Sequence, residues 1–212
     1  MTWGYLVKGR HNLILIFSAV YTLTFTVTAF YQGNFEFVYY TVLMAALIYI
    51  VFVLDQKFQL GPFIVMNLSL LGFLHLAGGN YTLHGVRLYD VYLIQGFLRY
   101  DNIIHTYGTF TATLALYNVM LPFTHERVTH NFGIFSLQLV LMSIGIGALN
   151  ELVEFFAVIF LGASEQVGGY ANNALDLLFN TVGAIMACIV IYGYRHRQHL
   201  LPRINARLKK NS

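Results

Sequence analysis

Residues 133–161 read GIFSLQLVLMSIGIGALNELVEFFAVIFL, an apolar run that carries two carboxylates, Glu151 and Glu154, and no lysine or arginine. At ~1.5 Å per residue a helix of this length exceeds a hydrocarbon core of about 30 Å, so it must tilt, kink or extend into the interface. No soluble domain needs such a run. Working outward, similar runs lie at 12–31, 35–54, 62–77, 101–121 and 171–194. Six spans of about 20 residues use most of the chain and leave only short connections. Composition agrees: 58% of the 212 residues are apolar or aromatic and 10% are charged, against about 25% charged in a soluble domain. The expected fold is all-α, a single polytopic bundle of six transmembrane helices spanning residues 1–212.

Charge sets the expected orientation. Of 12 Lys+Arg, six fall in the tail 195–212, and Lys8, Arg10, Lys57 and Arg127 join them on the terminal side of a six-span chain. Only Arg87 and Arg99 lie opposite. Ten against two predicts cytoplasmic termini and a basic cytoplasmic tail, so the tail is read as a topology signal and no nucleic-acid partner is expected. Lys8 and Arg10 before the first run resemble a signal-peptide start, but Thr28-Ala29-Phe30-Tyr31-Gln32 offers no small-x-small cleavage site, and a retained helix is expected. The single cysteine, Cys188, excludes an intrachain disulfide and any Cys-based zinc or iron–sulfur centre. The longest connection, 78–100, is rich in aromatics, and its stretch Tyr89-Asp90-Val91-Tyr92-Leu93-Ile94 is expected to lie as a short amphipathic segment in the outer interface.

Ionisable groups inside spans cost about 2.5–3.5 kcal/mol each on insertion scales, so each needs a reason. Asp101 and His105 open the fourth span, Glu151 and Glu154 lie late in the fifth, and Asp176 and Asn180 lie early in the sixth. Each pair is three or four residues apart and therefore shares a helix face. Alternating helix directions bring all of them to the outer half, and His75 ends the third span at the same level. Asp101 has an alternative use as the N-cap of its helix. Asp176 and Asn180 have one as interhelical hydrogen-bonding groups. No such use is evident for two glutamates one turn apart.

Clustered carboxylates in a low dielectric need protons, a basic group or a metal ion. The expected cofactor is a divalent metal, Zn, Mn or Fe, held by His105, Glu151, Glu154 and Asp176. Glu151, Glu154 and Asp176 would be the catalytic groups, with Asp101, Asn180 and His75 as outer supports. Arg87, Arg99 and Tyr81 are candidates for substrate binding, Arg87 for bidentate capture of an anionic group and Arg99 for stabilising the carboxylates. Arg87 has the competing option of pairing with Asp90. The function expected is a metal-dependent hydrolase or transferase acting on an anionic lipid or lipid-linked substrate within the lipid bilayer. The alternatives are a proton-coupled carrier and a non-catalytic membrane module. Against the carrier, the inner half shows only neutral polar groups, Asn67, Ser69 and Gln138. Two small-residue spacings, Ser143-x-x-x-Gly147 and Gly183-x-x-x-Ala187, predict close helix approaches.

Four pieces carry a resemblance: His75-x-x-Gly78-Gly79-x-Tyr81, Arg99-Tyr100-Asp101-x-x-x-His105-x-x-Gly108, Asn150-Glu151-x-x-Glu154-Phe155 and Asp176-x-x-x-Asn180-x-x-Gly183-Ala184. Together they resemble the YjdF-type family of small bacterial inner-membrane proteins and, more distantly, the VanZ-like family associated with glycopeptide resistance. The double glutamate favours the YjdF type, since VanZ-like chains tend to have a glutamine second. The resemblance implies a helical protein of the bacterial inner membrane and brings no assigned reaction. One departure stands out. Where the YjdF type carries a Gly-x-Gln-Gly-Asp and Trp-Asp stretch, this chain has Val167-Gly168-Gly169-Tyr170-Ala171-Asn172-Asn173, with no aspartate.

Overall fold

The computed structural model describes residues 2–162 and 169–210, with side chains described at 9, 11–34, 38–162 and 169–198. Val167 and Gly168, and the side chains of Lys8, Arg10 and the basic residues from 203 onward, lie outside the described residues. The helices are α1 (Thr2–Tyr31), α2 (Phe35–Phe58), α3 (Pro62–Asn80), α4 (Tyr100–Met120), a short α5 (Glu126–His130), α6 (Phe132–Leu161) and α7 (Tyr170–Lys210). Each expected span falls on one of these helices. The boundaries move where local chemistry moves them: α3 runs on to Asn80, and the sixth helix continues through residues expected as a tail.

Five of these helices, all but α4 and α5, are long and apolar enough to cross a membrane. Their outward faces carry Ile16, Leu23, Leu141, Phe160 and Ile189, each more than half exposed. So much contiguous apolar surface is compatible with lipid and not with water. The 21-residue α4 is long enough, at about 31 Å, but more polar than the others. Packing explains it. α4 lies against α3, α6 and α7, and Thr109, Thr111 and Thr113 are buried there, with hydroxyls bonded one turn back to His105, Tyr107 and Thr109 carbonyls. A helix walled by protein has no need of a lipid-facing stripe.

One end of the bundle is closed by Leu60, Ile64, Leu114, Phe135, Leu139 and Ile191. At the other end Ala29, Tyr40 and Ala157 tie α1, α2 and α6 together. The helix directions alternate, so the starts of α4 and α7 share this second end with the finish of α6. Here the structure corrects the expected amphipathic segment. Residues 82–99 form two small antiparallel hairpins, Thr82–Leu83 (β1) with Val86–Arg87 (β2) and Tyr92–Ile94 (β3) with Leu98–Arg99 (β4). His84 and Gly85 both take positive φ, 52° and 80°, the left-handed pair that a two-residue hairpin turn requires. The loop seats on Gly78, where a Cβ would lie 2.9–3.0 Å from the rings of Tyr89 and Tyr100. Only glycine allows that approach.

Candidate functional site

α4 enters the bundle on a cap supplied by Asn102, whose Oδ1 accepts the Arg99 backbone N–H at 3.0 Å. Asp101 is therefore not the cap, and its carboxylate is free to face inward. The buried imidazole of His105 sits at the centre. Its Nε2 lies 3.5 Å from Asp101 Oδ1 and 3.8 Å from Asp176 Oδ1, and its Nδ1 lies 3.7 Å from Glu151 Oε1. Three helices thus meet at one ring. Glu151 and Asp176, expected to share a site, are separated by no more than that imidazole.

The surrounding amides hold two of the acids. Asp176, with no solvent exposure, accepts from Asn102 Nδ2 at 3.3 Å and from Asn172 Nδ2 at 2.7 Å. Asn172 stands in the stretch where the resemblance led us to expect an aspartate, and there it serves as a donor to one. Glu154 accepts from Asn150 Nδ2 at 2.9 Å. Glu151 differs: it is buried, and neither of its carboxylate oxygens accepts a hydrogen bond. Sequence reasoning gave no role to Asn102, Asn150 or Asn172. The i,i+4 spacing of Asn150 to Glu154 and of Asn172 to Asp176 was the available signal.

Among the described residues, two trios offer ligand atoms within 4.8 Å of one another: Asp101, His105 and Asp176, and His105, Glu151 and Glu154. His105 belongs to both. The 3.5–3.8 Å separations exceed the 2.7–2.9 Å of a charge-assisted hydrogen bond. They approach the edge, about 3.4 Å, of a tetrahedron with metal–ligand bonds near 2.1 Å.

Asn180 and His75 take positions beside this cluster. Asn180 packs on Gly147, where any Cβ would overlap its side chain, so the small-residue spacing in α6 makes room for a polar group of α7. His75 shares a hydrogen bond through Nδ1 with the Tyr89 hydroxyl and meets the Tyr40 ring edge-on at 5.9 Å. Burial, and next the charge of Asp101, pushes the Tyr89 phenol well above its usual range. It therefore keeps its proton at neutral pH.

The loop cations are engaged by acids. Arg87 Nε bonds Asp90 Oδ2 at 3.0 Å, the internal partner weighed against recognition. Arg99 lies 3.8 Å from Asp101 and 4.0 Å from Asp90. Tyr81 is exposed, its ring edge-on to Phe25 at 5.8 Å. Arg99→Ala is expected to destabilise by ~1 kcal/mol, because the pair is only partly shielded from solvent. Thermal melting in detergent measures this, and an unchanged midpoint would remove Arg99 from the electrostatics of the site.

A cavity of about 370 Å³ adjoins the cluster, lined at this end by His75, Tyr89, Asp101, His105, Asn150 and Glu154. It continues along α2 to Asp55 and Gln56 and along α1 to His11. At this end, away from the hairpin loop, the sequence singled out only neutral polar groups, and the structure adds a buried acid and a histidine. Asp55 is buried, with its Oδ2 2.7 Å from His11 Nδ1. The two residues sit at the edges of their apolar runs, 44 positions apart, and only the antiparallel packing of α1 and α2 joins them.

No curated protein and no solved structure matches this chain. Residues 13–197, most of its length, match a family described as predicted membrane protein (DUF2238). That match reaches into all six long helices and includes every residue of the acid–histidine cluster. The chain belongs to this family of membrane proteins.

Proposed function

We propose that the cluster around His105 is a divalent-metal centre and that the protein is a metal-dependent hydrolase or transferase acting on a lipid or lipid-linked substrate. One observation carries the reading. A buried carboxylate with no hydrogen-bond partner, Glu151, lies at ion-sharing distance from an imidazole already flanked by two other carboxylates. Desolvating that much negative charge is costly, and a bound cation offsets it directly. Nitrogen and oxygen ligands suit Zn²⁺, Mn²⁺ or Fe²⁺. Such an ion would polarise an ester or phosphoryl oxygen and ease deprotonation of water.

The chain's own groups divide the remaining work. His105 through Nδ1 and Glu151 hold the centre, while Asp101 and Asp176, the latter oriented by Asn102 and Asn172, lie at the other ring nitrogen, Nε2. Glu154, oriented by Asn150, takes the proton from the attacking water as the new bond to phosphorus or carbon forms. It returns that proton to the leaving oxygen as the old ester bond breaks. Arg87, Arg99 and Tyr81 on the hairpin loop form the rim facing an anionic headgroup. In this reading α4 is the sixth spanning helix, both termini are cytoplasmic and the site opens in the outer half of a bacterial inner membrane. The basic-residue count and the motif resemblance support that placement.

Metal analysis of protein purified in detergent tests the proposal, together with thermal melting after chelation and after adding Zn²⁺ or Mn²⁺. About one equivalent of metal, or a melting midpoint raised by one of these ions, is the expected result. A site filled to 100 times its Kd adds ~2.7 kcal/mol. Protein that holds no metal and whose midpoint no divalent ion moves would overturn it.

A further inference from the structure

The cavity beside the cluster has a second polar end that the proposed chemistry does not use. Asp55 Oδ2 engages His11 Nδ1 at 2.7 Å, while Asp55 Oδ1 accepts the Leu60 N–H at 3.1 Å. Both oxygens are therefore committed. The other ring nitrogen of His11, Nε2, is buried without a partner. At the opposite end Asn180 Nδ2 is also buried without a partner, on a side chain that is 2% exposed. Between them, Ser18 and Ser69 share a 2.6 Å hydrogen bond. All four of these residues line the one cavity.

Buried polar atoms left unpaired cost about 1–3 kcal/mol each, and water is the usual remedy where a polar site has room. There is room here. The 370 Å³ space holds about a dozen waters at ~30 Å³ each. Its lining along α2 runs from Met44 to Gln56, about 18 Å of helix. α2 is held at its two ends, by Tyr40 to α6 and by Leu54 and Phe58 to the core at the other end, and by Met44 to α1 and α3 between them. Asn12 and Gln56, both exposed, line the cavity at the end where α2 reaches Lys57.

We infer that this cavity is an aqueous path that brings water to the acid–histidine cluster from the membrane face carrying Lys57, opposite the hairpin loop. The inference rests on the hydrolytic reading for the destination of the water. It gives the His11–Asp55 pair a task, as the polar mouth that keeps an otherwise apolar passage wet. A substrate reaching the cluster at the loop end and water arriving from the other then approach it from opposite sides.

Cysteine labelling tests the path. In a Cys188→Ser background, single cysteines replace Leu47, Ile48 and Ala112, which line the cavity. Leu141 and Ile189, 60% and 65% exposed on lipid-facing surfaces, supply dry controls. A small membrane-impermeant methanethiosulfonate reacts with the thiolate, which forms only where water reaches. Applied to sealed vesicles on the Lys57 side, it should modify the cavity positions at least ~10-fold faster than the controls. Two positions on α2 and one on α4 keep the result readable if one variant folds poorly. Cavity cysteines as slow as the controls, the outcome expected of a space filled by a lipid tail, would overturn the inference. Rapid modification only from the loop side would overturn it equally. Labelling requires no bound metal, so a dry cavity and a metal-free protein are separate failures.

Discussion

Gly183→Ala should lower the melting temperature of the protein more than any other single-methyl addition in the bundle. A Cβ at this position would overlap the backbone carbonyl of Thr106 and the Thr109 hydroxyl. A side chain can rotate away from a methyl group, but the carbonyl of Thr106 is fixed by its helix, so α4 and α7 must separate. Overpacking of this kind costs ~1–3 kcal/mol, and the upper end is expected where backbone is the obstacle. The same separation would draw Asp101, Asn102 and His105 of α4 away from Asp176 of α7, so metal binding should fall as well. Gly145→Ala is the matched control. Nothing lies within 4 Å of its Cβ, and alanine is the better helix former by about 1 kcal/mol. Thermal melts of the two variants beside the parent decide the matter. Equal midpoints for Gly183→Ala and the parent would mean that the two helices do not meet as described.

Opposite outcomes are expected for two residues of the cluster. His105→Leu removes the one cationic or metal-binding ring among Asp101, Glu151 and Asp176. Breaking a buried ion pair by deleting one partner costs ~3–5 kcal/mol, because the remaining charge is left uncompensated. A large loss of stability and of metal binding is therefore expected. Glu151→Gln keeps the shape but replaces the carboxylate that accepts no hydrogen bond. In the chelated protein this should leave the melting temperature nearly unchanged, since the carboxylate removed accepts no hydrogen bond and His105 keeps Asp101 and Asp176 beside it. In the same variant the stabilisation by added Zn²⁺ or Mn²⁺ should disappear. If Glu151→Gln melted far below the parent after chelation, the carboxylate would be structural and the metal reading would lose its principal support.

The sequence by itself determined the membrane class, the helical runs and which polar groups share a helix face. Long apolar runs are legible because lipid demands them of each helix separately. The pairs Asp101/His105, Glu151/Glu154 and Asp176/Asn180 were legible because i,i+3 and i,i+4 spacing places two groups on one face whatever the neighbours are. Gly183 and Ser143-x-x-x-Gly147 were legible as close approaches. In the structure Ser143 bonds Thr113 at 2.6 Å, and Gly147 receives Asn180.

Tertiary structure decided the rest. That α4 is the enclosed helix follows from its packing against α3, α6 and α7, and this is why its polar threonines are tolerated. The hairpins of 82–99 depend on a seat at Gly78 that no local pattern reveals. Arg87 is open to recognition or to pairing with Asp90, and Asn172 reads as a missing aspartate, until Asp90 and Asp176 are placed beside them. His11 and Asp55 lie at the edges of two apolar runs, and no local pattern singles out either one. Their pairing, and the cavity they share with His105, exist only because antiparallel helices bring distant positions to one level, a long-range relation that the period of a single helix does not encode.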